Sequence, residues 1–457
     1  MKKRGWLTID EIEKKQIYSF CDDYIQFLNE CKTERETIIW IEKKLQENGF
    51  IDFNTMDSLK MGDKVYFINN KKSLFSAVIG EENLINGVNI IGSHVDSPRL
   101  DLKPNTLYEE GGVALFKTHY YGGIKKYQWT TIPLSLHGAI YTKDNRQLVF
   151  NIGSKEDDPV FTISDLLPHL SKEQYKQNLN DAITGEELNV IVGNLSSIDQ
   201  NNPVKAYLLN LLKEQYNIDE ESFLSAELSF VPSFKTRNSG FDQSMITGYG
   251  QDDRVCVYTS LKAFLDIKLP HSTAICMFVD KEEVGSMGNT GMESEIFDYF
   301  MRELLQKCGK NQINALKTMY YNSKMLSADV TGAFDPNAKY AFDQLNSAYL
   351  GSGVSINKYT GSGGKKGASD ASSEYTHFIL NLFNINNIIY QVTELGKIDY
   401  GGGGTIAFIL ANKGINVIDC GVPVLSMHAP YEITSKFDIY SSYKAYHIFY
   451  NQKDLVF

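Results

Sequence analysis

Four short apolar runs of this chain each stop at a histidine or an acid, and this repeated junction constrains the fold more than any other feature. Val88-Asn-Ile-Ile91 leads into Gly92-Ser-His94-Val-Asp96, and Thr273-Ala-Ile-Cys-Met-Phe-Val279 leads into Asp280-Lys-Glu282-Glu283. Met325-Leu-Ser-Ala328 stops at Asp329, and Val422-Pro-Val-Leu-Ser-Met427 stops at His428. Short apolar runs of this kind, β-branched over Thr273–Val279, read as strands. A strand that enters an acidic pair and then Val284-Gly-Ser-Met-Gly288 places carboxylates at a sheet edge, where chemistry is often carried. Successive side chains of an extended chain point opposite ways. Glu282 and Glu283 are therefore expected to do different work, one on a metal and the other on a water held against it.

A chain of 457 residues has room for a large core and two or three domains. Its 42% hydrophobic and 22% charged content is that of an ordinary soluble globular protein. The net charge of −11, with both signs mixed along the chain, argues against nucleic acid as a partner. No apolar stretch approaches a membrane span, since runs such as Phe378–Tyr390 are broken by asparagines. The basic start Met1-Lys-Lys-Arg-Gly-Trp6 is followed by a helix signal where a secretory leader would have an apolar core. Six cysteines are scattered without a CxxC pair, which fits reduced, buried thiols and a cytoplasmic location.

The first fifty residues predict two amphipathic helices, with capping boxes at Thr8-x-x-Glu11 and Thr33-x-x-Glu36 and a stop at Gly49. Strands are expected at Val65–Ile68, Ser76–Ile79 and Val88–Ile91. From 99 to 249 the character changes: Tyr127–Ile132, Leu134–Tyr141 and Ala226–Val231 read as strands around one helix near Val204–Tyr216. After Asp252 helices and strands alternate again up to Ile415–Ile418. The reading is an α/β catalytic domain over 1–98 and 250–457, interrupted by a β-rich insertion over 99–249.

Taken singly, the polar residues at these junctions are unremarkable in chemistry. A histidine after a strand usually satisfies a local hydrogen bond, Asp252 reads as a helix cap, and Asp329 as a turn residue. Together they make a full ligand set for two zinc ions, which accept imidazole and carboxylate and keep a position for water. With Asp252 as a bridge, His94 and Asp329 complete one ion, and Glu283 and His428 the other. Three carboxylates and one hydroxide offset two dications, so little unpaired charge is buried. Asp96 is placed to accept the other imidazole N–H of His94 and fix its tautomer. Glu282 remains as general base, and Asp253 stands outside the ligand set.

Seven segments carry a resemblance to a known family: Gly92-Ser-His-Val-Asp-Ser-Pro-Arg99, Tyr121-Gly-Gly123, Asp252-Asp253, Asp280–Ser286, Ser327-Ala-Asp329, Gly401-Gly-Gly-Gly-Thr-Ile406 and Pro423–His428. In this order they resemble the zinc aminopeptidases that include aspartyl aminopeptidase and vacuolar aminopeptidase I. The resemblance implies a zinc-aminopeptidase-like domain, its central sheet flanked by helices, split by a β-rich dimerisation or lid domain. It also implies a homo-oligomer, a tetrahedral dodecamer built from dimers, acting on peptides. A histidine from a neighbour's insertion completes the site in that family, and Leu167-Pro-His-Leu170 resembles its segment, which points to His169 as a third catalytic residue beside Glu282 and Asp96. Two zinc ions per subunit are implied, with cobalt or manganese as substitutes.

Two departures bear on specificity. Gly332 and Asp335 stand where eukaryotic members carry histidines, and Asn357–Ala368 lacks a clear basic match to a substrate-binding segment. Neutral N-terminal residues are therefore expected to be accepted alongside or ahead of acidic ones. Gly361-Ser-Gly-Gly-Lys-Lys-Gly367 fails the Walker spacing and reads as a flexible loop near substrate, and Gly401–Gly404 as a tight turn that lets backbone approach it. Cys256 and Cys420 read as core thiols. Two rival readings are a dinuclear carboxypeptidase or deacylase, which the motif order disfavours, and a non-catalytic assembly protein, which has no physical need for Glu282 and five ligands.

Overall fold

The computed structural model describes residues 4–198 and 201–453; Met1–Lys3 of the basic N-terminal stretch lie outside it. The chain divides into two compact units. One runs up to Asp96, resumes over Thr236–Met427 and again from Glu432; the other holds Ser97–Lys235 and His428–Tyr431.

The first unit opens with α1 (Glu11–Glu30) and α2 (Glu34–Glu47). The Asp10 carboxylate, not Thr8, caps α1 by accepting the N–H groups of Ile12 and Glu13; Thr8 donates its hydroxyl to Gly5 O at 2.7 Å and closes a preceding turn. At α2 the Thr33/Glu36 capping box forms as the sequence predicts. Strands β1 (Ile51–Asp52), β2 (Lys64–Asn69), β3 (Ser73–Val78) and β4 (Asn89–His94) follow.

The second unit is built on β5 (Arg99–Glu110), β6 (Val113–Tyr121), β7 (Leu134–Tyr141), β8 (Gln147–Ile152), β9 (Val190–Gly193), helix α3 (Pro203–Tyr216) and β10 (Glu227–Pro232). Its six strands form one antiparallel sheet in the order β8-β7-β10-β5-β6-β9. The predicted strand Tyr127–Ile132 is instead a 3-10 turn over Lys126–Trp129. Trp129 is fully buried there, and Thr131 at φ 58° takes the chain out of extension.

The chain rejoins the first unit at Thr236, earlier than the 249 expected from composition, because β11 (Arg237–Ser239) and β12 (Met245–Gly248) enter a sheet of that unit. Next come α4 (Gln251–Leu265), β13 (Ala274–Val279), α5 (Ile296–Lys307), α6 (Ala315–Asn322), β14 (Lys324–Ser327) and β15 (Thr331–Gly332). After β16 (Val354–Asn357) and β17 (Gly361–Ser362) come α7 (Ser373–Ile385), β18 (Tyr390–Val392), β19 (Gly402–Gly403) and α8 (Ala407–Ala411). The chain closes with β20 (Asn416–Gly421), β21 (Pro423–Leu425), β22 (Glu432–Ser435) and α9 (Lys436–Asn451).

The main sheet has nine strands in the order β1-β2-β3-β13-β4-β14-β20-β16-β18, and a smaller one runs β11-β12-β22-β21-β15. Strand β13 shows why the large sheet is covered on both faces. Ala274, Cys276 and Phe278 belong to one core with α1, α2, α4, α7 and α9, while Ile275, Met277 and Val279 belong to a second core with α5, α6 and α8. A continuous apolar run buried on both faces is what a parallel, doubly covered strand requires. The unit is thus an α/β fold with helices on both sides of its sheet. Loss of the α2 cap should loosen the start of this covering helix: Thr33→Ala is expected to cost about 1 kcal/mol. Hydrogen exchange at the Glu36 amide should then rise roughly fivefold, and unchanged exchange would show that the box contributes nothing.

Candidate metal centre

Strands β13, β4, β14 and β20 are parallel neighbours, so their C-terminal ends share one edge of the sheet. In open α/β sheets that edge is where ligands bind. His94 is the last residue of β4, in register with Val279 on one side, and Gly92 is in register with Ser327 on the other. Hydrogen bonds from Val95 N to Val279 O (2.8 Å) and from Ala328 N to Gly92 O (2.7 Å) extend the pairing just past the strands. The segments carrying Glu282, Glu283 and Asp329 therefore leave the sheet beside His94. Gly421 at the end of β20 tightens this edge, since a Cβ there would stand 1.7 Å from Asp329 O. Only glycine lets the Asp329 main chain approach so closely. Asp252 and Asp253 arrive from the start of α4, joined by a cis peptide and with non-helical backbone angles.

Distances around His94 are those of atoms arranged to share an ion. Its Nε2 lies 3.2 Å from Asp252 Oδ1, 3.8 Å from Asp329 Oδ1 and 3.9 Å from Glu282 Oε2. Two ligand atoms on a tetrahedral zinc stand about 3.4 Å apart, given bonds near 2.1 Å. Two groups have ligand atoms mutually within 4.8 Å: His94 with Asp252 and Glu283, and His94 with Asp253 and Asp329. Asp253 thus brings an oxygen into one cluster although the sequence reading left it out. Asp253 Oδ2 accepts the His94 main-chain N–H at 3.3 Å, whereas Asp253 Oδ1 is buried without a hydrogen-bond partner. A mixed imidazole and carboxylate donor set with an orphaned buried oxygen fits a divalent metal.

Asp96 has a larger part than fixing one tautomer. His94 Nδ1 is 3.0 Å from the Asp96 carbonyl oxygen and 3.4 Å from its carboxylate. Since a carbonyl can only accept, Nδ1 carries the proton and Nε2 is turned toward the acids. The Asp96 carboxylate meanwhile accepts the N–H groups of both Glu282 and Glu283 at 3.2 Å. These bonds hold a 3-10 turn over Glu282–Val284, so the two glutamates do not alternate along an extended chain as predicted. Lys281 and Gly285, at φ 67° and 90°, bound that turn.

Electrostatics follow from burial. Desolvation disfavours the His94 imidazolium, but bonds to Asp252 and Asp96 and the charges of Asp329 and Glu282 overcome it and raise its pKa well above the ordinary value. Burial, then neighbouring acids, hold Asp329 well above the usual carboxylate range, and burial does the same to Asp253. So many buried acids around one imidazole are costly as bare charges. A dication resolves that repulsion.

The remaining predicted residues lie as follows. His428, in the second unit, bonds Gly123 O through Nδ1 at 2.8 Å, and a Cβ on Gly123 would stand 3.3 Å from that nitrogen. In the same motif Arg99 stacks 3.9 Å over the Tyr121 ring. His169 is exposed in a 3-10 turn, Pro168–Leu170, among the exposed Leu166, Leu167 and Leu170. A Cβ on Gly332 would stand 2.7 Å from Leu395 Cδ1, and the half-buried Asp335 accepts the Asn337 N–H at 2.8 Å. The two glycine-rich loops, read separately in the sequence, pair with each other: Gly361 faces Gly403 and Ser362 faces Gly402. Cys256 and Cys420 are buried free thiols.

Comparison with known proteins gives the family. The family model described as aminopeptidase I zinc metalloprotease (M18) matches residues 27–450. A probable M18 family aminopeptidase 1 of Clostridium acetobutylicum is 46% identical over 455 residues, covering 98% of each chain. The crystal structure of the M18 aminopeptidase from Thermotoga maritima is similar with a TM-score of 0.96 at 40% identity, covering 99% of this chain and 100% of that one. The structure of aminopeptidase I from Clostridium acetobutylicum gives 0.92 at 44% identity, covering 98% and 99%. The chain therefore belongs to the M18 family of aminopeptidases, zinc metalloproteases that act at peptide N-termini.

Proposed function

We propose that this aminopeptidase works through two zinc ions per subunit and accepts neutral N-terminal residues. The observation that supports it best is that Asp252, Glu283 and Asp329, from three separate segments, each bring a carboxylate oxygen within 4.8 Å of a His94 ring nitrogen. In this reading His94, Asp329 and Asp252 would hold one ion, and Glu283 and His428, with Asp252 shared, would hold the other; cobalt or manganese are the expected substitutes. Asp253 supports His94 through its main-chain N–H. Zinc at these residues would polarise the scissile carbonyl and acidify a water.

Glu282 supplies the proton traffic. Half-buried on the turn that Asp96 caps, it takes a proton from the attacking water and returns it to the departing amine. Asp96 acts by holding both glutamate N–H groups and the His94 ring in one arrangement. His169 of a neighbouring subunit donates to the developing oxyanion, within a homododecamer assembled from dimers through the 99–249 insertion. Exposed Leu166, Leu167 and Leu170 beside it support an oligomer, because water-exposed leucines in one turn favour a partner. Six unpaired thiols support a reducing, cytoplasmic setting. No helix among the described residues is long and apolar enough to cross a membrane.

Replacement of Glu282 by Gln should leave zinc content near normal and lower turnover by about two to four powers of ten. Elemental analysis beside a steady-state assay checks this, and a mutant above roughly a tenth of wild-type turnover excludes Glu282 as the base. On a panel of aminoacyl chromogenic substrates, Leu and Ala should be cleaved at least as well as Asp and Glu, since Gly332 abuts Leu395 and offers no cation. Selective hydrolysis of the acidic pair would refute this, and cleavage of N-blocked peptides would favour the deacylase rival. For His169→Phe, normal zinc with turnover lower by roughly two to three powers of ten is expected. Mixed dimers of His169→Phe and His94→Ala should regain activity, because one intact metal site then meets one intact His169. No recovery in verified mixed dimers would mean that His169 does not act across subunits.

A further inference from the structure

The main-chain N–H of Asp252 has no helical partner to rely on. It lies in the first turn of α4, where no carbonyl four residues back is available, and Asp252 has φ −80° and ψ 108°. Asp252 is 3% exposed, so water does not readily serve this donor. The acceptor is Glu432 Oε2, at 3.2 Å. Glu432 is itself 1% exposed and starts β22, in register with Gly248 of β12.

A second set of bonds locks the same two segments together. Gln251, fully buried, donates from Nε2 to Glu432 O at 2.7 Å and to Ile246 O at 3.2 Å. Its Oε1 accepts the hydroxyls of Thr434 and Tyr24. Residues 251 and 252 are thus tied by side chain and main chain to residues 432 and 434. We infer that Glu432 is a positioning residue for the metal centre: by accepting the Asp252 N–H it fixes the main chain from which the bridging carboxylate reaches His94. This rests on the dinuclear reading of Asp252. Partners one bond removed from a ligand set its direction and commonly govern metal affinity.

The test separates hydrogen bonding from charge. Glu432→Gln keeps the reach and an acceptor oxygen but removes the charge, whereas Glu432→Asp keeps the charge and withdraws the acceptor by one methylene. Zinc affinity is measured by competition with a chromogenic chelator, with kcat and KM on a Leu substrate and with the melting temperature of the zinc-free protein. Glu432→Asp is expected to bind zinc about tenfold to a hundredfold more weakly and to lose kcat at nearly constant KM. Glu432→Gln should stay within roughly threefold of wild type, and the zinc-free forms of the two variants should melt alike. Thr434→Val, which leaves Glu432 in place but removes one bond to Gln251, should weaken zinc by roughly threefold. The opposite ranking, equal affinities in all variants, or a zinc loss that tracks zinc-free stability overturns the inference. Wild-type protein that takes fewer than two zinc ions overturns the dinuclear reading as well, so the two failures are distinguishable.

Discussion

Everything at the centre depends on the parallel pairing of β4 with β13 on one side and β14 on the other. Parallel strands end together, so the residues that follow them emerge at one edge, a few ångströms apart, however distant they are in the chain. Glu283 and Asp329 each follow His94 by well over a hundred residues yet lie in clusters that share its imidazole. The pairing is itself held by two apolar cores, one on each face. An alternating strand such as β13 cannot slip by one residue without exchanging the two sets of side chains.

That geometry creates an electrostatic difficulty. Asp252, Asp253 and Asp329 are gathered around His94, and burial pushes the Asp253 and Asp329 carboxyls toward the neutral form. In a protein interior such a group of acids is unfavourable unless cations or protons offset it. The surrounding structure does not relieve the crowding; it enforces it. Asp96 pins the glutamate turn, Gly421 admits the Asp329 main chain, and Glu432 holds Asp252. A rigid set of donors with excess negative charge is the arrangement that selects a small dication over water and protons.

The same economy of contacts links motifs that looked independent. The Gly361 and Gly401 loops form one small ribbon, and Thr405 at its end donates to Asp419 at 2.6 Å, one strand from Ser327. The Gly123 carbonyl of Tyr121-Gly-Gly123 bonds His428 Nδ1. Asp335, expected to influence substrate charge, spends its carboxylate on its own turn. These loops are fixed by bonds within their own unit.

The amino-acid sequence by itself determined the strands and their polar endings, because apolar alternation and the Thr33 capping box are local signals written within a few residues. It also determined the family, through seven short motifs in order. Where a local signal was ambiguous the reading failed: Thr8 lost the cap to Asp10, Trp129 took a turn in place of a strand, and composition carried the insertion past Lys235. Only the tertiary structure decided that Glu282 and Glu283 share a turn capped by Asp96, that Asp253 enters a ligand cluster, and that Glu432 reaches back to Asp252. Those facts depend on hydrogen bonds between residues 159 or more apart in the chain. No periodicity records such bonds, because their partners are chosen by strand order and by where the backbone is brought to end.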